Sequence, residues 1–223
     1  MKKKYVFLII SLFLLIISIL YIIVIKNVDV RTIGPNNTSV GLSTINESFH
    51  KVFGYNDILY KLTKYLGVVP ILLVVMYALI GLYELIQKKS LFKVNKKLIL
   101  LVCFYVVVLL VYILFEKLAI NYRPVIIDGE LEASFPSSHT ILALCFCGSS
   151  LLTSKYFITN LKTKKYIDTI SLIVMILIVV GRTLSGVHWF TDIIGGIIIS
   201  LFLLSVLYTG ILFLNERKKS SFI

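Results

Sequence analysis

Ser134-Phe135-Pro136-Ser137-Ser138-His139-Thr140 is the stretch on which the reading of this chain turns. A polar loop runs straight into an apolar segment there, with a histidine at the junction. Proline favours a helix start and serine favours the cap, so a helix is expected from about Pro136. The run 136–153 is apolar enough for a membrane span, and comparable runs lie at 5–25, 66–86, 98–115, 167–182 and 188–214. The chain has 223 residues, 58% of them hydrophobic, with mean hydropathy +0.96. Only 15% are charged, and these cluster between the apolar runs. The fold class is therefore read as an all-α integral membrane protein with six transmembrane helices. It is taken as a single six-span membrane domain over 1–223, with an N-terminal span and amphipathic loop at 1–64.

The first run follows Lys2-Lys3-Lys4 and resembles a signal peptide in order. At about 20 residues it is too long for a typical apolar signal core, and no small-residue cleavage pattern follows, so an uncleaved span is expected. The loop at 26–64 opens on the turn-like Gly34-Pro35-Asn36-Asn37. Helical spacing then appears at Ile45, Phe49, Val52 and Phe53, and again at Ile58, Leu59, Leu62, Tyr65 and Leu66. One or two amphipathic segments at the membrane surface are expected there. His50 stands alone in this loop and reads as an interface histidine.

The net charge of +12 would fit a nucleic-acid partner, but its distribution does not. The basic residues crowd Lys2–Lys4, the loops 87–97 and 154–166, and the tail Arg217-Lys218-Lys219. Positive loops beside apolar spans are explained by topology, which places these four segments and both termini in the cytoplasm. The remaining loops, with their unusual polar residues, then lie outside. Cys103, Cys145 and Cys147 all fall within apolar runs and read as small buried side chains. No spacing typical of metal ligands occurs, and no cofactor is expected.

The outer loops hold the candidate chemistry. Ionisable groups near membrane depth are costly and usually face a functional polar cavity. The start of the helix at Pro136-Ser137-Ser138-His139 offers free N–H groups and a partial positive charge, which suit phosphate. A plain helix cap is the alternative. His188 and Asp192 are four apart, which puts both on one face of a helix, so the carboxylate could fix the imidazole tautomer and leave the other nitrogen free. A structural hydrogen bond is the bland reading of that pair. Arg182 and the Arg123-Pro124 pair add guanidinium groups, either for an anion or snorkelling to headgroups. Together they make a phosphoryl-transfer site that needs no metal.

These three blocks resemble the three motifs of the type 2 phosphatidic acid phosphatase (PAP2) superfamily. The family's Pro-Ser-Gly-His is similar to Pro136-Ser137-Ser138-His139, with Ser138 in the glycine position. Its Ser-Arg, five residues, His, three residues, Asp is matched by Gly181-Arg182, His188 and Asp192, except for the leading serine. Its Lys, six residues, Arg-Pro is matched at Arg123-Pro124, but Glu116 holds the lysine position and Lys117 sits one residue late.

The resemblance implies a PAP2-like bundle, with its core at about 60–214, and a role for each matched residue. His188 would be the nucleophile that forms a phosphohistidine, Asp192 would orient it, and His139 would be the general acid. Arg123, Arg182, Ser137 and the Ser138 N–H would hold the phosphate, and Lys117 would join them if it reaches the anion. The implied activity is hydrolysis of a lipid phosphate or diphosphate, with undecaprenyl diphosphate, phosphatidylglycerophosphate and phosphatidate all compatible. Transfer to a second lipid, or a non-catalytic protein with a degenerate site, are the alternatives. The expected setting is a cell membrane, bacterial by the Lys-, Ile- and Asn-rich composition, with the site on the outer face and the bilayer as partner.

Overall fold

A computed structural model describes residues 2–220. The side chains of Arg217, Lys218 and Lys219, read above as a cytoplasmic cluster, lie outside the described residues. Among the described residues, eight α-helices follow in order: α1 (Lys3–Asn27), α2 (Ser43–Phe53), α3 (Asp57–Leu66), α4 (Val68–Lys88), α5 (Lys96–Leu118), α6 (Ser138–Phe157), α7 (Leu161–Leu184) and α8 (Phe190–Ser220). Among the described residues, six helical segments are long and apolar enough to cross a membrane, and α3 and α4 together form one of them, Asp57–Lys88. The chain is a multi-pass membrane protein, as its hydropathy predicts.

The bundle is arranged around α6. This span has the lowest mean hydropathy of the six, 1.3 against 3.3 for α1, yet the largest buried share. The two facts have one cause. A helix surrounded by protein meets little lipid and needs little apolar surface, but it must let its neighbours approach closely. Ala143, Cys145, Cys147, Gly148, Ser149 and Ser150 are all buried along it. Helices α4, α5, α7 and α8 all pack on α6. The outer helices show the reverse pattern, with Leu12, Phe13 and Ile16 of α1 and Leu110 of α5 exposed where lipid would lie.

Helix α1 lies antiparallel along α8. Lys4 pairs with Glu216 at 2.7 Å at one end, and Tyr21 donates to the Thr191 carbonyl at 3.0 Å at the other. Ser11 meets Ser205 at 2.9 Å between them. The start of the first span and the end of the last therefore share one end of the bundle. The loop helices sit at the opposite end. Asn46 of α2 donates to Thr191 Oγ at 2.9 Å and accepts from Thr191 N–H at 3.1 Å, which ties α2 to the first turn of α8. Phe49 stacks on Phe190 with ring centres 4.4 Å apart. The predicted interface histidine, His50, is half-buried against Trp189, at 5.5 Å between rings.

Both amphipathic segments of the first loop form helices. Helix α3 runs on through Gly67 into α4 and packs along α7. Its apolar residues Ile58, Leu62 and Tyr65 are exposed, while Tyr60 and Thr63 are buried. In a bilayer the outer face is the greasy one, so the moment of such a helix points away from the protein.

Candidate active site

The loop between α5 and α6 is a hairpin without regular strands. Tyr122 bridges to Ala133, the Arg123 N–H donates to the Glu132 carbonyl at 3.1 Å, and the Ser134 N–H donates to the Asn121 carbonyl at 2.8 Å. This pairing swings Arg123 and Ser134 back over the start of α6. Helix α6 begins at Ser138, two residues later than Pro136, the start expected from the sequence. Pro136 and Ser137 instead form the turn into it, and the Ser137 N–H donates to the Asp192 carbonyl at 3.1 Å. Gly195 and Gly196 of α8 make this contact feasible. A side chain at 195 would overlap the Phe135 ring, and one at 196 would meet Thr140 at 3.0 Å.

The turn between α7 and α8 is held by a second close approach. Gly186 has φ +62°, and a Cβ there would strike the Gly54 carbonyl. The neighbouring Asn56 N–H donates to the Ser185 carbonyl at 2.9 Å. The link between α2 and α3 is thereby docked on the turn that carries His188.

His188 precedes α8, which begins at Phe190, so the shared helix face expected for His188 and Asp192 does not form. Asp192 sits in the first turn and accepts the Trp189 N–H at 3.1 Å, as an acidic residue at a helix start commonly does. The same carboxylate accepts from Asn121 Nδ2 at 3.1 Å and from the Ser134 hydroxyl at 2.5 Å. Ser134 Oγ in turn lies 3.0 Å from His188 Nδ1. The expected contact between carboxylate and imidazole is thus bridged by a serine. Ser134 has one proton, and it goes to Asp192, so His188 Nδ1–H is the donor in the other bond. That tautomer leaves the lone pair of His188 on Nε2.

His188 Nε2 makes no hydrogen bond among the described residues, nor do Arg123 Nε and Nη1, all three guanidinium nitrogens of Arg182, or His139 Nδ1. Arg182 is fully buried, with Tyr60 beneath it at 5.2 Å from Cζ to the ring centre. Arg123 is nearly so and is tied by Nη2 to Glu132 at 2.7 Å. Guanidinium groups stay protonated in proteins and are costly to bury without a partner. Buried, unpartnered donors of this kind suit a multiply charged oxyanion. Burial, then the charges of Arg123 and Arg182 and the nearby His139, hold His188 well below the usual histidine range. It is therefore a neutral base at physiological pH.

The other expected residues gather around the same point. His139 stands in the first turn of α6, half-buried, against Gly67, where a Cβ would lie 3.3 Å from its Cδ2. Ser137 is buried, and its hydroxyl accepts from Thr140 at 3.0 Å, leaving its own proton to donate. Ser138, Lys117, Glu116, Arg123 and His139 all line a cavity of about 680 Å³ that opens at this end of the bundle. A second crevice of about 120 Å³ runs from His139 between Val68 and Ile71 of α4 and Leu142 of α6. Val68 and Ile71 are exposed on the outer surface of the bundle.

Several site residues escaped the sequence. Ser134 and Asn121 carry no pattern of their own, although Ser134 belongs to the stretch read first. Tyr60, Thr63, Lys64 and Gly67 were hidden in a segment read as a surface helix. Their spacing of 3, 1 and 3 marks one helix face and could have revealed the inward stripe.

Comparison with known proteins bears on the same residues. The PAP2 superfamily profile matches residues 101–216, which include Arg123, Ser134, His139, Arg182, His188 and Asp192. Among solved structures, the fold is similar to the crystal structure of a transmembrane PAP2-type phosphatidylglycerolphosphate phosphatase from Bacillus subtilis. The TM-score is 0.59 with 18% identity, covering 88% of this chain and 93% of that one. No curated protein matches the sequence.

Proposed function

The chain belongs to the PAP2 superfamily, and on that footing we propose that it is a membrane phosphatase that hydrolyses a lipid phosphate or diphosphate. One observation carries the reading. Arg123 and Arg182 keep buried, unpartnered nitrogens, and their charges act on His188, whose Nε2 is also unpartnered. In this reading the phosphate lies between the two guanidiniums, with the Ser137 hydroxyl and the Ser138 N–H as further donors. His188 Nε2 attacks phosphorus, the bond to the lipid oxygen breaks, and His139 gives that oxygen a proton. Water then attacks the phosphohistidine and returns its proton to His139, releasing phosphate and neutral His188. Asp192 acts through Ser134, holding Nδ1 protonated and sharing the charge that develops on the ring. The arginines bind the equatorial oxygens more tightly as charge builds in the transition state.

A lipid substrate fits the surroundings. The crevice beside His139 is lined by apolar residues that reach the outer surface of α4, so an alkyl chain can stay in the bilayer while its headgroup meets the histidines. The four basic segments sit at the end away from the site, since Lys97 lies over the Tyr156 ring at 3.5 Å and Asn215 meets Tyr156 at 3.4 Å, beside the Lys4–Glu216 end. With those segments cytoplasmic, the site faces outward.

The test is release of inorganic phosphate by the purified protein from phosphatidate, phosphatidylglycerophosphate and undecaprenyl diphosphate in mixed micelles. At least one is expected to turn over, with His188→Ala at background and with inhibition by orthovanadate. Full activity in His188→Ala would overturn the mechanism, and failure on all three lipids would overturn the function.

A further inference from the structure

Helix α3 forms one wall of the site, and the side chains that do so are Tyr60, Thr63 and Lys64, followed by Gly67 at its junction with α4. Each has a contact that places it. Tyr60 lies under the Arg182 guanidinium at 5.2 Å. Thr63 is packed where a side chain at position 181 would otherwise go, so that Gly181 lets α3 seat directly on α7. A side chain at Gly67 would meet the ring edge of His139, its Cβ 3.3 Å from Cδ2. Lys64 is one turn beyond Tyr60, with its ammonium 5.9 Å from the Tyr60 ring, and among the described residues it and His139 alone line both the 680 Å³ cavity and the 120 Å³ crevice. It is exposed, in contrast to the two arginines. No ion pair holds it among the described residues, although Lys51, Lys61, Lys88 and Lys164 each pair with a carboxylate one turn away.

We propose that Lys64 is a substrate-binding residue that holds the anionic phosphate headgroup beside His139, at the point where the headgroup cavity meets the apolar crevice. A lysine is a mobile point charge on a long stem, suited to follow a headgroup as it enters. The arginines behind it are buried and preset. Glu116 lines the same cavity and opposes it in charge. The identity of the ligand as a phosphate rests on the function proposed above, whereas the anion-binding role rests on the geometry alone.

The experiment separates the two. Trp189, the single tryptophan, adjoins His188, so its fluorescence reports anion binding in the purified full chain without turnover. Orthovanadate is the probe for binding, and dioctanoyl phosphatidate and farnesyl diphosphate are the probes for hydrolysis. Lys64→Met is expected to weaken vanadate binding and lower kcat/KM roughly 10- to 100-fold, the range of one lost charge-assisted hydrogen bond. Lys64→Arg should stay within about threefold of the wild type by keeping that contact. Adding Glu116→Lys to Lys64→Met should recover most of the loss, because it returns a cation to the same cavity. Lys61→Met, on an ion pair away from the site, is the control. Lys64→Met binding vanadate as tightly as wild type overturns the role of Lys64. Unaltered vanadate titration on adding Glu116→Lys to Lys64→Met overturns it too. A wild-type protein that binds vanadate but hydrolyses neither lipid overturns the phosphatase reading instead.

Discussion

Ser134 Oγ stands between two residues that motif spacing would pair directly, 2.5 Å from Asp192 Oδ2 and 3.0 Å from His188 Nδ1. The bridge exists because His188 lies in the turn ahead of α8 while Asp192 is already in its first turn. Ser134→Ala should break it and leave the imidazole free to rotate. The expected loss is about 10- to 100-fold in kcat with KM within about threefold, since a hydrogen bond to a charged group is at stake. Ser134→Thr, which keeps the hydroxyl, should recover part of the rate. Wild-type kcat in Ser134→Ala would show that the bridge does nothing for the reaction.

The pH profile follows from the surroundings of His188. Burial and then the positive charge of Arg123 hold its pKa well below the usual histidine range. The acid limb that belongs to His188 should therefore lie below about pH 6.5, the ordinary value. Removing a positive neighbour raises the pKa, so Arg123→Gln should move that limb upward. A limb that stays put or falls in Arg123→Gln would contradict the electrostatic account. The same depression affects stability. The unfolded chain takes up the proton first, so this contribution is intact above about pH 6.5 and is lost as pH falls below it.

Gly181 and Thr63 are expected to be coupled. A serine at 181 would overlap the Thr63 methyl group, and α3 would have to move off α7. Gly181→Ser should destabilise the protein by about 1–3 kcal/mol, as overpacking of a closed interface does. Adding Thr63→Ala opens the space and should restore most of it. Thermal unfolding in detergent measures both, and additive effects of the two changes would refute the coupling.

Topology can be read with cysteines. Replacing Asp128, at the tip of the hairpin beyond Arg123, with cysteine should give a thiol that an impermeant maleimide labels in intact cells. Ser90→Cys, in the loop after α4, should label only after permeabilisation. The reverse pattern would turn the site to the cytoplasmic side.

Much of this was legible in the chain. Apolar runs of span length, separated by short basic loops, leave a membrane bundle as the only fold that satisfies every backbone polar group. Arg123, His139, Arg182, His188 and Asp192 could be picked out because charged and titratable side chains at the ends of apolar runs have few structural uses. Phe135 and Thr140 lie against Gly195 and Gly196, small residues of the kind that permit close helix contacts.

What the sequence by itself determined is what depends on local composition and period: the spans, their parity, and the blocks of polar residues that parity brings to one end. What only the tertiary structure decided is which side chains touch. Residues 60, 134 and 188 are far apart in the chain, and no periodicity relates them. The serine bridge depends on where one helix begins, to within two residues. Helix α3 reads as a surface segment because its apolar face is conspicuous, yet in lipid that face turns outward, and the quieter stripe of Tyr60, Thr63 and Lys64 is the one that turns toward the protein and its cavity.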